Sequence, residues 1–288
     1  GVPHKNKWKI FSLGSDYPIE KGVEQLRFVN GLLGYTPIRT PADNVLARLA
    51  ATIFSEQAGK GCYVDIGVGL PEEASRLFHE SGLIEDINIM TESGVFGGLP
   101  APGIHFGAAV NPEEIVSSAE AFRRIYDHLD AVILGALEVD SDGNVNVSKR
   151  GEGAINYVGP GGFIDLTACA NLVMFCTAWG DGADVRVEGN RVRVVKRGKP
   201  KFIDRVAEVT FSGEAALNAG KRAFYITHVG AFQHTERGME LIRVMPGIDV
   251  QGDILDATSM KIVLPENGQV PVVDDAVVTG KDFRLSFK

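Results

Sequence analysis

The chain has 288 residues, 44% of them apolar, with 34 glycines and no low-complexity tract, so it can bury a substantial core as one large domain or two closely packed lobes. A net charge of -8 disfavours nucleic acid as the main partner, because phosphate binding needs a positive field, and any anionic ligand has to be met by local groups. No apolar run reaches the ~20 residues that span a bilayer, and the start of the chain lacks the basic-then-apolar order of a signal peptide, so a cytoplasmic protein with no membrane partner is expected.

In chain order, Asp43-Asn44-Val45-Leu46-Ala47-Arg48-Leu49-Ala50-Ala51-Thr52-Ile53-Phe54 places apolar residues at helical spacing, with Asp43 or Asn44 as the expected cap. The short apolar run Cys62-Tyr63-Val64-Asp65-Ile66 then ends in Gly67-Val68-Gly69, and Pro71-Glu72-Glu73 opens a helix, giving a strand, a glycine turn and a helix. A second strand, Ile87-Asn88-Ile89-Met90, ends at Thr91-Glu92-Ser93-Gly94, and the next helix is expected from Asn111-Pro112-Glu113-Glu114. Strand Ala131-Val132-Ile133-Leu134 continues the alternation. Such order predicts an α/β fold: an open, mostly parallel sheet with helices on both faces and functional loops at the carboxyl ends of its strands.

Beyond Val139 the pattern changes to antiparallel hairpin additions. Asp142-Gly143 joins Leu137-Glu138-Val139 to Val145-Asn146-Val147, and Glu188-Gly189-Asn190 joins Val185-Arg186-Val187 to Val192-Arg193-Val194. A further strand, Leu172-Val173-Met174-Phe175, follows Gly161-Gly162-Phe163-Ile164-Asp165. Residues 258–288, with Pro265, Asn267-Gly268 and Pro271, show no periodicity and read as a tail packed on the body or on a partner.

Three segments carry chemistry. Asp65-Ile66-Gly67-Val68-Gly69-Leu70-Pro71-Glu72 turns from strand to helix, where outward backbone N–H groups can hold an anion or an oxyanion. Taken alone it fits a dinucleotide loop, a methyl-donor loop or a plain tight turn, although Glu72 stands where a dinucleotide fingerprint needs glycine. In Met90-Thr91-Glu92-Ser93-Gly94-Val95-Phe96-Gly97-Gly98-Leu99-Pro100 an acid at a strand end is followed by glycines and apolar residues. A carboxylate attacking a thioester needs neighbours without side chains, here Gly94, Gly97 and Gly98, and dry walls, here Val95, Phe96, Leu99 and Pro100. The bland alternative is that Glu92 pairs with a Lys or Arg. The third segment, Val158-Gly159-Pro160-Gly161-Gly162-Phe163-Ile164-Asp165, is a glycine turn with Asp165 as expected helix cap, and its amides can face a ligand.

Other features carry less. Asp140-x-Asp142-Gly143-Asn144 has Gly151 where a calcium loop needs its twelfth-position Glu. His79, His105, His128, His228 and His234 lack zinc-site spacing, so no metal is expected. Cys62, Cys169 and Cys176 form no C-x-x-C pair and lie in apolar stretches, as buried structural thiols do. The basic run over residues 191–201 alternates with valines as a half-exposed strand does, though its cations also suit the phosphates of a nucleotide.

The succession Gly67-Val68-Gly69-Leu70-Pro71, Thr91-Glu92-Ser93-Gly94-Val95-Phe96-Gly97-Gly98, Asp142-Gly143-Asn144-Val145-Asn146-Val147-Ser148 and Gly161-Gly162-Phe163-Ile164-Asp165 resembles the family I coenzyme A transferases. It is most similar to the second, catalytic half of the propionate and acetate type enzymes. The likeness runs on through Lys201-Phe202-Ile203, Val209-Thr210-Phe211-Ser212-Gly213, Tyr225-Ile226-Thr227 and Pro246-Gly247-Ile248-Asp249-Val250. It implies Glu92 as nucleophile; Gly67, Val68, Gly69, Gly94, Gly97, Gly98, Gly161 and Gly162 around the substrate and oxyanion; and Asn146 and Lys149 as coenzyme A contacts. By the same resemblance, coenzyme A is a substrate with no permanent cofactor, and an alpha-like subunit within a higher oligomer, or a preceding stretch of the same chain, completes the protein. The expected division is an extension over 1–40, the catalytic domain over 41–257 and the tail over 258–288. The competing readings are an acyl-CoA hydrolase with Glu92 activating water, a nucleotide- or methyl-donor-binding enzyme built on the Gly67 turn, and a non-catalytic assembly subunit.

Overall fold

A computed structural model describes residues 19–34, 39–105, 107–151, 153 and 155–288. Most of the expected extension, residues 1–18 and 35–38, lies outside the described residues.

Helix α1 covers Ile19–Leu33 and α2 covers Pro41–Gln57. The cap of α2 is Thr40 rather than Asp43 or Asn44. Thr40 Oγ1 accepts from the Asp43 N–H at 3.1 Å while Asp43 Oδ2 accepts from the Thr40 N–H at 2.8 Å, a reciprocal box made possible by Pro41 in the first turn. Strand β1 (Tyr63–Ile66) leads through the glycine turn to α3 (Glu72–Glu80), and β2 (Asn88–Met90) leads to Glu92.

The chain then differs from the expectation drawn at Asn111. Strand β3 (Val95–Phe96) turns back along β2, and β4 (Glu114–Ile115) pairs with β3, so the segment expected to open a helix extends the sheet. Asn111 adopts φ 53°, a left-handed conformation that a helical start does not use. The helix α4 begins later, at Ser118–His128, where Ser117 Oγ accepts from the Glu120 N–H at 3.2 Å.

Strands β5 (Ala131–Leu134), β6 (Leu172–Cys176) and β7 (Arg222–Ile226) follow, with α5 (Phe163–Cys169) ahead of β6 and α6 (Gly213–Asn218) ahead of β7. Strands β8 (Gly230–Thr235), β9 (Gly238–Val244) and β10 (Ile262–Val263) add one flank, and α7 covers Asp275–Thr279. The ten-stranded sheet runs β10-β9-β8-β7-β6-β5-β1-β2-β3-β4. Its inner strands β2, β1, β5, β6 and β7 are all parallel, and antiparallel pairs occupy both flanks. Both expected hairpins form, Glu138–Val139 with Val145–Asn146 and Asp184–Glu188 with Arg191–Lys196.

Alternation along the strands supplies two cores. Ala131, Ile133, Leu172 and Met174 face α2, α3 and α7, whereas Val132, Leu134, Val173 and Phe175 face α4, α5 and α6. Buried on both faces, the inner strands take near-continuous apolar runs. The tail joins this body: β10 pairs with β9, and Val277 and Val278 of α7 pack in the first core. Cys62 and Cys176 are buried free thiols, and burial pushes Cys62 up to about 12. Among the described residues no helix is long and apolar enough to cross a membrane.

Candidate active site

The turns after β1, β2, β5 and β6 all open at the carboxyl edge of the parallel sheet, where an α/β fold presents ligand sites. Glu92 stands there, two residues beyond β2. Its loop is tied down locally: the Gly94 N–H donates to Thr91 O at 3.0 Å, Ser93 Oγ donates to Gly107 O at 2.6 Å, and Ser118 Oγ donates to Glu92 O at 2.9 Å.

The Glu92 carboxylate lies across the sheet edge against the Gly161-Gly162 turn. A Cβ on Gly162 would sit 1.8 Å from Glu92 Oε2, and one on Gly161 would sit 3.7 Å from Oε1. Oε2 is buried with no hydrogen-bond partner, and among the described residues no Lys or Arg pairs with Glu92, which weighs against the bland alternative. Burial holds its acidity weaker than that of an ordinary carboxylic acid, the Gly162 amide facing it works in the opposite direction, and the charge of Asp165 adds to the weakening. Asp165 is not the cap of α5. The helix starts one turn earlier, at Gly162, because Phe163 and Leu166 already pack in the core, and Asp165 accepts the Tyr126 hydroxyl instead.

The other expected positions separate into those near Glu92 and those spent on the scaffold. Gly94, Gly97 and Gly98 turn toward the protein itself: an added Cβ would meet Val116 O at 2.3 Å, the Glu113 side chain at 2.6 Å and Val110 O at 2.3 Å. Val95 and Leu99 are buried, and Phe96 lies under the Arg124 guanidinium, 4.8 Å from its ring centre. In the first glycine turn, Gly67 donates to Ile133 O at 2.8 Å and Val68 is exposed. The Gly69 N–H donates to Glu72 Oε2 at 3.1 Å, so an oxyanion held by that amide has to displace Glu72.

Asn146 is wholly buried and its amide is satisfied within the protein. Nδ2 donates to Glu138 Oε2 and to Lys149 O, both at 2.8 Å, and Oδ1 accepts from the backbone N–H groups of Ser148 and Lys149 at 3.0 and 2.9 Å. It shapes the turn that carries Lys149. That lysine lines a cleft of ≈ 530 Å³ with Arg150, Lys199, Lys201, Glu138 and Asp181. Lys201 Nζ donates to Ala136 O at 2.7 Å and Thr177 Oγ1 at 2.5 Å, bridging the ends of β5 and β6, and burial lowers its pKa to about 8. With strands about 4.8 Å apart, the ends of β2 and β5 lie roughly 10 Å from one another. The Asp140 carboxylate, rejected above as part of a calcium loop, accepts from the N–H groups of Asp142, Asn144 and Val206.

One acid and one cation, Asp65 and Arg150, were not singled out in the sequence, and Lys201 stood there as the end of the basic run over residues 191–201. Asp65 had a visible signal, a carboxylate in the middle of an apolar strand. Arg150 and Lys201 reach the same cleft from segments about fifty residues apart, which no spacing rule connects.

No family model matches the chain. It is 36% identical over 217 residues to caffeate CoA-transferase of Acetobacterium woodii, covering 74% of this chain and 40% of that protein. It is equally 36% identical over 211 residues to acetate CoA-transferase YdiF of Escherichia coli, covering 72% and 39%. The solved acyl-CoA transferase YdiF apoenzyme of Escherichia coli O157:H7 superposes with TM-score 0.75 at 28% identity, over 88% of this chain and 48% of that one. The decarboxylase AibA/AibB, at 17% identity and TM-score 0.59, shares the fold. In both sequence and fold the chain is thus similar to coenzyme A transferases. It spans about two fifths of the length of the curated relatives it matches.

Proposed function

We propose that this chain carries the catalytic carboxylate of a coenzyme A transferase and moves coenzyme A between an acyl-CoA and a carboxylic acid. The observation that carries the reading is the Glu92 carboxylate, unpaired at Oε2 and set against a glycine where any other residue would occupy its place. A structural acid would be paired with a cation or solvated; a nucleophile needs a free lone pair and room for an incoming carbonyl.

In this reading a Glu92 oxygen attacks the thioester carbon. The C–S bond breaks, coenzyme A leaves as thiolate, and an acyl-glutamyl anhydride remains. The thiolate then attacks the Glu92 carbonyl carbon, the anhydride C–O bond breaks, and the first acid departs as carboxylate. An incoming carboxylate runs the same steps in reverse, so one activated acyl is exchanged for another. The Gly162 amide faces the carboxyl on which charge develops, and one such donor is commonly worth about 2.7–4 kcal/mol. The cleft lined by Lys149, Arg150, Lys199 and Lys201 suits the phosphates of coenzyme A in an otherwise acidic protein. Because the relatives are more than twice as long as the matched stretch, a partner of similar fold or a further stretch of chain completes the site.

The test is mass spectrometry of the protein, assembled with whatever completes it, after exposure to acyl-CoA. A covalent adduct on Glu92, lost in Glu92→Gln, supports transfer, as does new acyl-CoA formed with ping-pong kinetics when a carboxylate is added. Borohydride should inactivate the enzyme only after acyl-CoA has been supplied. Coenzyme A released quickly and neither accelerated nor diverted by any acid would establish hydrolysis in its place.

A further inference from the structure

Asp65 occupies the middle of the sheet. It lies on β1, between Met90 of β2 and Val132 of β5, and is 4% exposed. Its Oδ2 is buried with no hydrogen-bond partner, and no cation pairs with it among the described residues. An isolated ionised carboxylate in such a place is costly, so the group stands as a neutral acid. Burial is the larger cause of its weakened acidity and the charge of Glu92 the second. The charge acting on Asp65 is that of Glu92 and the charge acting on Glu92 is that of Asp165 of α5, both acidic, while Met90 and Val132 beside Asp65 on the adjoining strands are apolar.

The register explains why an acid here matters. Met90 lies beside Asp65 in register and Glu92 follows two residues later, so the start of the Glu92 loop lies next to the Asp65 carboxyl at the end of the central strands. We propose that Asp65 is a positioning residue for Glu92, its neutral carboxyl accepting the Glu92 backbone N–H and anchoring the nucleophile's loop to the central strand. The inference rests on the reading of Glu92 as nucleophile. A neutral carboxyl combines an acceptor oxygen with an O–H donor. An ionised one would set a second negative charge beside Glu92 and repel the thiolate and carboxylate that must approach it. Exchange should therefore decline toward alkaline pH, as pH rises through the raised value of Asp65 and the group loses its proton.

The experiment compares coenzyme A exchange against pH in the complete assembly for wild type, Asp65→Asn, Asp65→Leu and Glu92→Gln. Asn presents an acceptor and a donor where the neutral acid does. Asp65→Asn should keep kcat within about threefold and lack the alkaline decline, and Asp65→Leu should lose at least about tenfold in kcat with KM within about twofold. The inference is overturned if Asp65→Asn is as slow as Asp65→Leu, if Asp65→Leu runs at the wild-type rate, if wild type shows no alkaline decline, or if Asp65→Asn retains it. Should Asp65→Leu fail to fold, the two remaining pH profiles decide alone. Exchange surviving in Glu92→Gln would remove the nucleophile reading itself, whatever the Asp65 variants do; loss of exchange there with the alkaline decline kept in Asp65→Asn removes only the role of Asp65.

Discussion

Glu92 Oε2 lies 1.8 Å from the point where a Cβ on Gly162 would stand, so the carboxylate uses the volume of a missing side chain. Glu92 stands two residues beyond the second strand and Gly162 opens a helix seventy residues later; their fit is what turns an acid in the loop after a strand into a candidate nucleophile.

Gly162→Ala tests that fit. Gly162 has φ -78° and ψ 1°, which alanine adopts without strain, so the fold should survive with Tm little changed. The new methyl must push the carboxylate out of place, and exchange should fall about 100-fold, the usual scale for a misplacement of about 1 Å. Steady-state kinetics beside a thermal melt checks both halves.

The pH dependence of kcat/KM should show an acid limb from Glu92. Burial raises its pKa above the ordinary glutamate value of 4.5, and the nucleophile is the ionised form, so activity is complete above the raised value and is lost as pH falls through it. A limb at or below 4.5 would contradict the burial of this group.

Stability should respond to Asp65 in the opposite sense to an ordinary paired carboxylate. Its folded pKa lies well above the unfolded value of 3.8, so between those values the folded state holds a proton that the unfolded state has lost, and stability falls as pH rises through the window. Asp65→Asn lacks the titration. Urea midpoints of variant and wild type should therefore draw apart as pH is raised from mildly acid to mildly alkaline, with the variant the more stable.

Gly69→Val separates strain from chemistry in the first glycine turn. Gly69 has φ +96° with only Pro71 Cδ nearby, at 3.9 Å, so the valine has space but an unfavourable backbone, at a cost of roughly 1–3 kcal/mol in stability. If the turn borders the thioester, turnover should drop beyond what the loss of stability explains. Unchanged turnover places the oxyanion donors elsewhere, Gly162 first among them.

Lys149→Ala should raise KM for acyl-CoA about tenfold and leave kcat nearly unchanged, the loss of one charge-assisted contact of about 1.4 kcal/mol made equally in ground and transition states. An equal fall in kcat with KM unchanged would move Lys149 from binding to chemistry.

Much of this architecture was legible in the sequence because its determinants are local. Apolar runs bounded by glycine, such as Tyr63–Ile66 and Ala131–Leu134, announce buried parallel strands, and the dipeptide Asp142-Gly143 announces a hairpin. The order of the glycine turns was enough to single out Glu92. Pairing decided what local pattern could not: Asn111 to Glu114 looks like a helix start until β3 supplies a strand partner, and Asp165 looks like a cap until Phe163 is seen to pack one turn earlier. Only the tertiary structure showed that Gly94, Gly97 and Gly98 turn toward the protein's own chain while Gly162 alone yields its side-chain space to Glu92. Periodicity reports which face of an element is buried, whereas the free lone pair on Glu92, the neutral acid beneath it and the lysine-lined cleft arise from groups far apart in sequence that meet only where the strands of the parallel sheet end together.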